Sequence, residues 1–417
     1  MFNRVPGTKD ILPDEVYSWQ EIEKISREIF SIYNYQEVRP PIIEDAGLFN
    51  RSLGEFTEIV QKQMFLIKHL EDTYALRPEG TASVVRSYIE NNLDKTCGFV
   101  KFYYIGPMFR LERPQKGRLR QFHHIGTEVI GSLDPEIDVE IISLADALLK
   151  AYRIKDYQIK INTLGCTTDK KNLIKILTQE LKDKLEELCQ ECRERFKHNV
   201  LRILDCKNED CQKIIGNLRI KDKHLCPACI EHFSQVKTGL NILKINYEVD
   251  PLLVRGLDYY TRTVFEVKHP GLGAQDAIGA GGRYDNLVEE LGGPFTGSIG
   301  FAFGVERLLL AATNSENLKT KDKFLVYLIT LGEQAKKAGL KILSSLRQAG
   351  IPTDTDYQGK SLKGAMRKAF DLAAKFVLII GEDELKNNTV TLKDMASGEQ
   401  KEVKTENLIQ EIMANIK

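Results

Sequence analysis

The chain is short of everything that would make a membrane, secreted or bulk-polyanion-binding protein obvious. Its 59 lysines and arginines are matched by 59 acids, so there is no excess charge to attract nucleic acid, and any such contact must use local patches. Nowhere do about 18 uncharged apolar residues run together, which excludes a membrane-spanning helix. The opening Met1-Phe2-Asn3-Arg4-Val5-Pro6-Gly7-Thr8-Lys9-Asp10 has no apolar stretch of signal-peptide type, so a cytoplasmic chain without membrane contact is expected. Eight cysteines in 417 residues are too sparse for a disulfide scaffold and should be thiols or metal ligands. Internal repeats and low-complexity segments are also missing. At this length two or three domains are expected.

Apolar residues recur at helical spacing from Asp14 to Tyr33 (Val16, Trp19, Ile22, Ile25, Ile29), with Pro13 as a start signal. A strand interrupted by Pro40 and Pro41 follows, suited to an edge or interface. Tyr74 to Leu76 reads as a strand, and Pro78-Glu79-Gly80-Thr81 as a turn into a helix capped by Thr81. Phe99 to Phe109 and Arg120 to Ile130 read as the arms of a long β-hairpin around a polar loop, so an antiparallel sheet is the expected scaffold. Residues of about 170–240 turn lysine-rich and helical and hold six of the cysteines, the pattern of an inserted subdomain. The sheet pattern resumes at Ile245 and ends in Ser298 to Gly304, followed by a helix from Val305. Asn314 to Asp322 is a polar linker. From there, Phe324 to Ile329, Ala335 to Ala349, Thr353 to Asp356, Lys360 to Ala374 and Phe376 to Ile380 alternate strand and helix patterns, predicting a small α/β domain on a largely parallel sheet.

Three segments carry chemistry. In Phe109-Arg110-Leu111-Glu112-Arg113-Pro114-Gln115-Lys116-Gly117-Arg118-Leu119-Arg120-Gln121-Phe122, five basic residues stand against Glu112 alone. Strand alternation puts Arg120, Phe122, His124, Gly126 and Glu128 on one face. A face that gathers arginine, carboxylate and aromatic groups suits a nucleotide, although a solvated basic loop would read alike. Arg255-Gly256-Leu257-Asp258-Tyr259-Tyr260-Thr261-Arg262-Thr263-Val264-Phe265-Glu266 packs two arginines, two acids and two tyrosines among β-formers, more polarity than a core strand holds. Arg307 stands in a first helical turn, where the helix dipole favours acids; a nearby anionic ligand would explain it. Gly359-Lys360-Ser361 is not the end of a P-loop, because Asp354 stands where its first glycine belongs. Gly279-Ala280-Gly281-Gly282 lacks the spacing of a dinucleotide fingerprint.

The cysteines run Cys189-x2-Cys192, Cys206-x4-Cys211 and Cys226-x2-Cys229. Cys189, Cys192, Cys226 and Cys229 could together close a tetrahedral structural zinc site, or serve as small apolar groups on a helical stripe.

The Arg255–Glu266 run and Gly281-Gly282-Arg283-Tyr284-Asp285 resemble the paired histidine-recognition signatures of histidyl-tRNA synthetases. The Arg110 loop and Gly304-Val305-Glu306-Arg307 resemble the second and third motifs of class II aminoacyl-tRNA synthetases, and the long helix with its proline-ended strand resembles the dimer-forming first motif. The resemblance covers nearly the whole chain, from Pro6-Gly7-Thr8-Lys9-Asp10 onward. It implies an α+β protein: a class II antiparallel sheet flanked by helices over 1–322, with the helical insertion, and an α/β anticodon-binding domain over 323–417. It implies a histidine–tRNA ligase that is a homodimer, uses ATP with Mg2+ as substrate, and charges tRNA(His) through a histidyl-adenylate. In that scheme Arg110, Arg255 and Arg307 are catalytic. Arg110, Glu112, Arg118, Phe122 and Arg307 bind ATP, with Arg110 bridging the substrate carboxylate and α-phosphate, Glu112 at the adenine amino group and Phe122 stacked on the ring. Glu79 and Thr81 clamp the histidine ammonium group, and Glu128 and Tyr260 read its imidazole, with Tyr284 shaping the pocket. Arg255 replaces a metal ion beside the α-phosphate. His124 departs from the family, which has glutamine there; a neutral imidazole accepts only through one nitrogen, so the grip on the substrate amine differs. The basic set Lys360, Lys363, Arg367, Lys368 and Lys375, read as one helix face, is expected to meet RNA. The alternative from another class is the catalytically inactive relative that regulates ATP phosphoribosyltransferase in histidine biosynthesis. A third is a zinc-bearing RNA-binding module, which leaves the arginine hairpin unexplained.

Overall fold

The computed structural model describes residues 2–218, 222–273, 276–312 and 325–415. The chain forms two compact units, Met1–Lys319 and Thr320–Lys417. The linker expected at Asn314 to Asp322, and Phe324, lie outside the described residues.

In the first unit, the helix Pro13–Ile32 starts on a proline whose missing N–H is no loss there. It buries Trp19, Ile22, Ser26 and Phe30 at three- and four-residue spacing. The two prolines split the following segment into short strands, Gln36–Glu37 and Ile43–Asp45, which join different sheets. The main sheet has eight strands. Its six central strands are antiparallel neighbours in the order 100–109, 121–130, 298–304, 277–283, 261–268, 158–163, and the short strands 36–37 and 248–249 add in parallel at the edges. The predicted hairpin is its longest pairing, in unbroken register from Val100 opposite Ile130 to Phe109 opposite Gln121. Strands 43–45, 72–76 and 65–69 make a separate three-stranded sheet.

Alternation gives the main sheet two unlike faces. Ile125, Val129, Ile159, Ile161, Phe265, Val267, Ile299 and Phe303 pack with the helices Pro13–Ile32, Pro135–Ala151, Pro227–Ile242 and Val305–Ala312 in one core. The other face carries small residues, among them Gly126, Ala280, Gly300 and Ala302. The regular elements described between residues 167 and 242 are all helices, and Leu173, Leu177, Cys192, Leu201 and Ile203 share a core with Tyr104, Val254, Tyr260 and Val264 of the sheet region.

The second unit has a five-stranded sheet, ordered 353–355, 326–330, 376–380, 389–394, 400–404. The first three strands are parallel and the last two antiparallel. The helices Glu333–Gln348 and Leu362–Asp371 match expectation. The terminal hairpin was missed because its strands are short, half-exposed and charged.

Candidate active site

The small-residue face makes a trough. Tyr104, Gly126, Ala302, Ala280 and Glu266 are successive cross-strand partners, so one row across five strands holds three residues with almost no side chain between a tyrosine and a glutamate. In the next row Glu128 stands opposite Gly300. A Cβ on Gly126 would lie 2.4 Å from the Tyr104 ring, and one on Gly300 1.9 Å from Glu128 Oε2; these glycines are there so that the neighbouring side chains can lie down. Above the trough is a cavity of about 330 Å3 lined by Glu79, Thr81, Arg110, Glu112, Arg118, Phe122, His124, Arg255, Tyr260, Tyr284 and Arg307.

One end is carboxylate and aromatic. Glu79 is buried and accepts from the backbone N–H groups of Thr81 (2.6 Å) and Ala82 (2.8 Å), capping the helix Thr81–Glu90. The expectation that Thr81 is the cap is therefore corrected. Its hydroxyl, already inside the helix, instead donates to Glu128 Oε1 at 2.7 Å. Tyr104 also donates to Oε1 (3.3 Å), and Tyr284 to Oε2 (2.6 Å). Glu128 lies behind these three groups and is 1% exposed. Burial, reinforced by the Glu79 charge and opposed by the three hydroxyl donors, pushes its pKa up to about 8. Tyr259 packs on Tyr260 and edge-on to Tyr284, with ring centroids 4.7 and 5.7 Å apart.

The other end is cationic. Arg110 donates from Nε to the Pro78 carbonyl at 2.9 Å and lies over the Phe122 ring, 5.3 Å from its centroid. Arg118 pairs with Glu112. Arg307 donates to the carbonyls of Gly117 (3.1 Å) and Ala277 (2.6 Å), so this helix-start arginine ties the hairpin loop to a neighbouring strand. Beside it, Glu306 accepts from the His123 backbone N–H at 3.0 Å and contacts its ring. Arg255 pairs with Glu266, whose second oxygen is 3.5 Å from Lys268, and the Arg255 Nε is buried with no hydrogen-bond partner among the described residues. His124 is held well below the usual imidazole range, by burial first and then by Arg110 and Arg307, so its ring is neutral. Its Nδ1 is likewise buried without a hydrogen-bond partner among the described residues. Fixed guanidinium groups around one cavity, one of them with an unsatisfied Nε, are what an anionic ligand would complete.

Arg283, inside the second signature, is fully buried away from the cavity. It bonds Asp138 (2.6 Å), Asp285 (3.1 Å) and the carbonyls of Ser132 (2.9 Å) and Asp134 (2.7 Å). The zinc set Cys189, Cys192, Cys226 and Cys229 does not assemble. Cys189 and Cys192 meet Cys206 and Cys211, whereas Cys226 and Cys229 meet Cys166 and Asp169. Each CxxC pair sits at the start of its own helix, and the two helix starts converge on different neighbours. Lys360 and Lys375 also fall outside the helix Leu362–Asp371, so the basic set is not one helix face.

Lining residues missed in the sequence include Tyr104, Arg202, Asp205 and Lys207. Tyr104 was within reach of strand alternation, being opposite Gly126. Arg202, which donates to the Gly256 carbonyl at 3.2 Å, lies in the insertion and has no local signal.

An antiparallel floor carrying immobile arginines, with nucleotide chemistry assigned to no glycine-rich loop, is the architecture of a class II aminoacyl-tRNA synthetase. Residues 7–308 match the family model described as histidyl-tRNA synthetase, and residues 325–415 match the anticodon binding domain. Histidine–tRNA ligase of Halothermothrix orenii is 46% identical over 408 residues, 97% of each chain. That of Thermodesulfovibrio yellowstonii is 46% identical over 410 residues, 98% of this chain and 97% of the relative. The crystal structure of apo histidyl-tRNA synthetase from S. aureus superposes with a TM-score of 0.81 at 35% identity, covering 98% and 99% of the two chains. The chain belongs to the histidyl-tRNA synthetase family.

Proposed function

We propose that this chain is a histidine–tRNA ligase whose cavity activates histidine with ATP-Mg and then charges tRNA(His), with residues 1–322 as catalytic domain and 323–417 as anticodon-binding domain. The histidine carboxylate attacks the α-phosphorus of ATP, the bond to the β-phosphate oxygen breaks, and pyrophosphate leaves. The terminal ribose hydroxyl of the tRNA then attacks the acyl carbon and AMP leaves. The first step brings two anions together, and positively charged groups fixed in advance lower its barrier. The carrying observation is that Arg110, Arg118, Arg255 and Arg307 line one cavity. Arg110 bridges the carboxylate and α-phosphate, Arg255 stands on the other side of that phosphate, and Arg118 and Arg307 take the distal phosphates and adenine. Glu112 and Phe122 hold the adenine, Arg110 leaving the Phe122 ring as it arrives. Glu79, Thr81 and His124 hold the ammonium group. Tyr260 and Glu128 read the imidazole, the ring displacing a hydroxyl that covers Glu128 while Tyr284 orients the carboxyl.

Lys363, Arg367 and Lys368 are exposed in the second unit, as are the rings of Tyr357 and Phe370, which supports an RNA contact. Ile42, Ile43, Leu66, Ile67 and Leu70 are exposed around the three-stranded sheet, which supports a homodimer. Among the described residues no helix is long and apolar enough to cross a membrane, in keeping with a cytoplasmic enzyme. Histidine-dependent exchange of labelled pyrophosphate into ATP tests the activity. No exchange at saturating histidine would favour the regulatory-subunit alternative, whose fold is represented by the ATP phosphoribosyltransferase regulatory subunit/histidyl-tRNA synthetase of Bacillus halodurans (TM-score 0.67, 20% identity).

A further inference from the structure

The insertion contains two clusters of metal-ligating side chains that the aminoacylation chemistry does not use. In the first, one sulfur each from Cys189, Cys192, Cys206 and Cys211 lies within 4.8 Å of every other. Cys189 precedes the helix Gln190–His198 and Cys192 is in its first turn. Cys206 follows the turn Val200–Asp205, and Cys211 is in the first turn of Glu209–Gly216. Three of the four are buried. In the second, Cys166 and Asp169 stand at the start of the helix Thr167–Leu181, and Cys226 and Cys229 at the start of Pro227–Ile242. We propose that these are two structural metal sites of zinc type, a tetrathiolate and a three-thiolate, one-carboxylate site.

Three observations carry this. The first is spacing. Zn–S bonds of about 2.3 Å in a tetrahedron place sulfurs about 3.8 Å apart, and Cys189 Sγ and Cys206 Sγ are 3.9 Å apart. The second is the set of N–H groups already aimed at ligand atoms. Cys189 N donates to Cys211 Sγ (3.2 Å), Asn208 N to Cys206 Sγ (3.5 Å) and Cys166 N to Cys229 Sγ (3.2 Å). Cys226 N donates to Asp169 Oδ1 at 3.1 Å. Such bonds orient and stabilise thiolate and carboxylate ligands from outside the coordination sphere, and helix N-termini favour the same charges. The third is room. Gly165 has φ +70°, and a Cβ there would lie 2.6 Å from Asp169 Oδ2, so only glycine lets that carboxylate reach its place. An apolar cluster of thiols would need none of these donors. Thiolate-rich, fully protein-bound tetrahedra select zinc over magnesium or calcium.

The sites would brace the part of the insertion that reaches the cavity. Arg202, Asp205 and Lys207, all lining it, lie between Cys192 and Cys211 in the chain. Asn199, just before them, donates to Asp258 Oδ1 at 2.7 Å.

The full-length protein, stripped by chelator, reloaded with zinc alone and desalted, should hold two zinc per chain by elemental analysis. Cys206→Ser should leave one, Cys226→Ser one, and the double variant none. A parent holding no zinc overturns both sites. A parent holding one overturns whichever site is lost without changing the count. If Cys206→Ser changes nothing while Cys226→Ser removes zinc, the tetrathiolate is wrong and only the site of Cys166, Asp169, Cys226 and Cys229 stands. Should either variant fail to fold, cobalt titration of the stripped parent decides the same question. Intense visible bands of tetrahedral thiolate coordination at two equivalents are expected, and weak octahedral bands alone would overturn the proposal.

Discussion

Replacing Arg255 with alanine separates a catalytic cation from a structural one. Arg255 is anchored by Glu266 and has a buried, unpartnered Nε at the cavity wall. A unit charge about 4 Å from a phosphate oxygen is worth about 4 kcal/mol at an effective dielectric near 20. Part of that is already present in the bound ground state. Loss of one preorganised contact to developing charge therefore costs about 3 kcal/mol, or roughly 10²- to 10³-fold in adenylate formation. The fold should tolerate the change. Glu266 keeps Lys268 at 3.5 Å, so the lone buried carboxylate that makes broken ion pairs so destabilising, by about 3–5 kcal/mol, does not arise in full. The assay is pyrophosphate exchange at saturating histidine and ATP, beside a urea titration followed by Trp19, the chain's one tryptophan. Trp19 is buried against the His123 ring at 4.8 Å in the catalytic unit. Arg255→Lys should recover part of the rate, since an ammonium cannot hold Glu266 and a phosphate in the same planar fork. An exchange rate within roughly threefold of the parent in Arg255→Ala, with the urea midpoint lowered, would refute the catalytic role and leave Arg255 as a strut for Glu266.

Glu128 supplies a pH test. Its folded pKa of about 8 lies above the ordinary carboxylate value of 4.5, so the folded chain binds that proton more tightly than the unfolded chain does. Its contribution to stability is therefore greatest below pH 4.5, falls as pH rises toward 8, and is level beyond. Glu128→Gln should flatten that decline in the Trp19-monitored midpoint; equal slopes in parent and variant would contradict the assignment. Arg283→Ala should destabilise the catalytic unit by about 3–5 kcal/mol, because Asp138 and Asp285 lose their shared buried partner. An unshifted midpoint would show that the latch carries no load.

Much of the site was legible because it is written in strand alternation and in runs of unusual charge. The period of two put Phe122, His124, Gly126 and Glu128 on one face, and the register of the hairpin keeps them there. What stayed hidden depends on neighbours distant in sequence. Nothing local to Pro78-Glu79-Gly80-Thr81 says that Glu79 caps the helix, because the choice follows from Thr81 being drawn to Glu128, 47 residues on. Cysteine spacing signals ligand pairs but not which pairs meet; that is decided by how the helices of the insertion pack. Arg202 reaches the cavity only through the same packing.

Arg283 changes what the run Gly281 to Asp285 can testify to. Three of its four partners, Asp138 and the carbonyls of Ser132 and Asp134, belong to the segment that follows the 121–130 strand, so this guanidinium rivets two stretches of backbone whether or not histidine is ever bound. A descendant that gave up catalysis would still need the rivet. Tyr284, one residue away and donating to Glu128, serves the cavity instead, so neighbouring positions of one run answer to different demands.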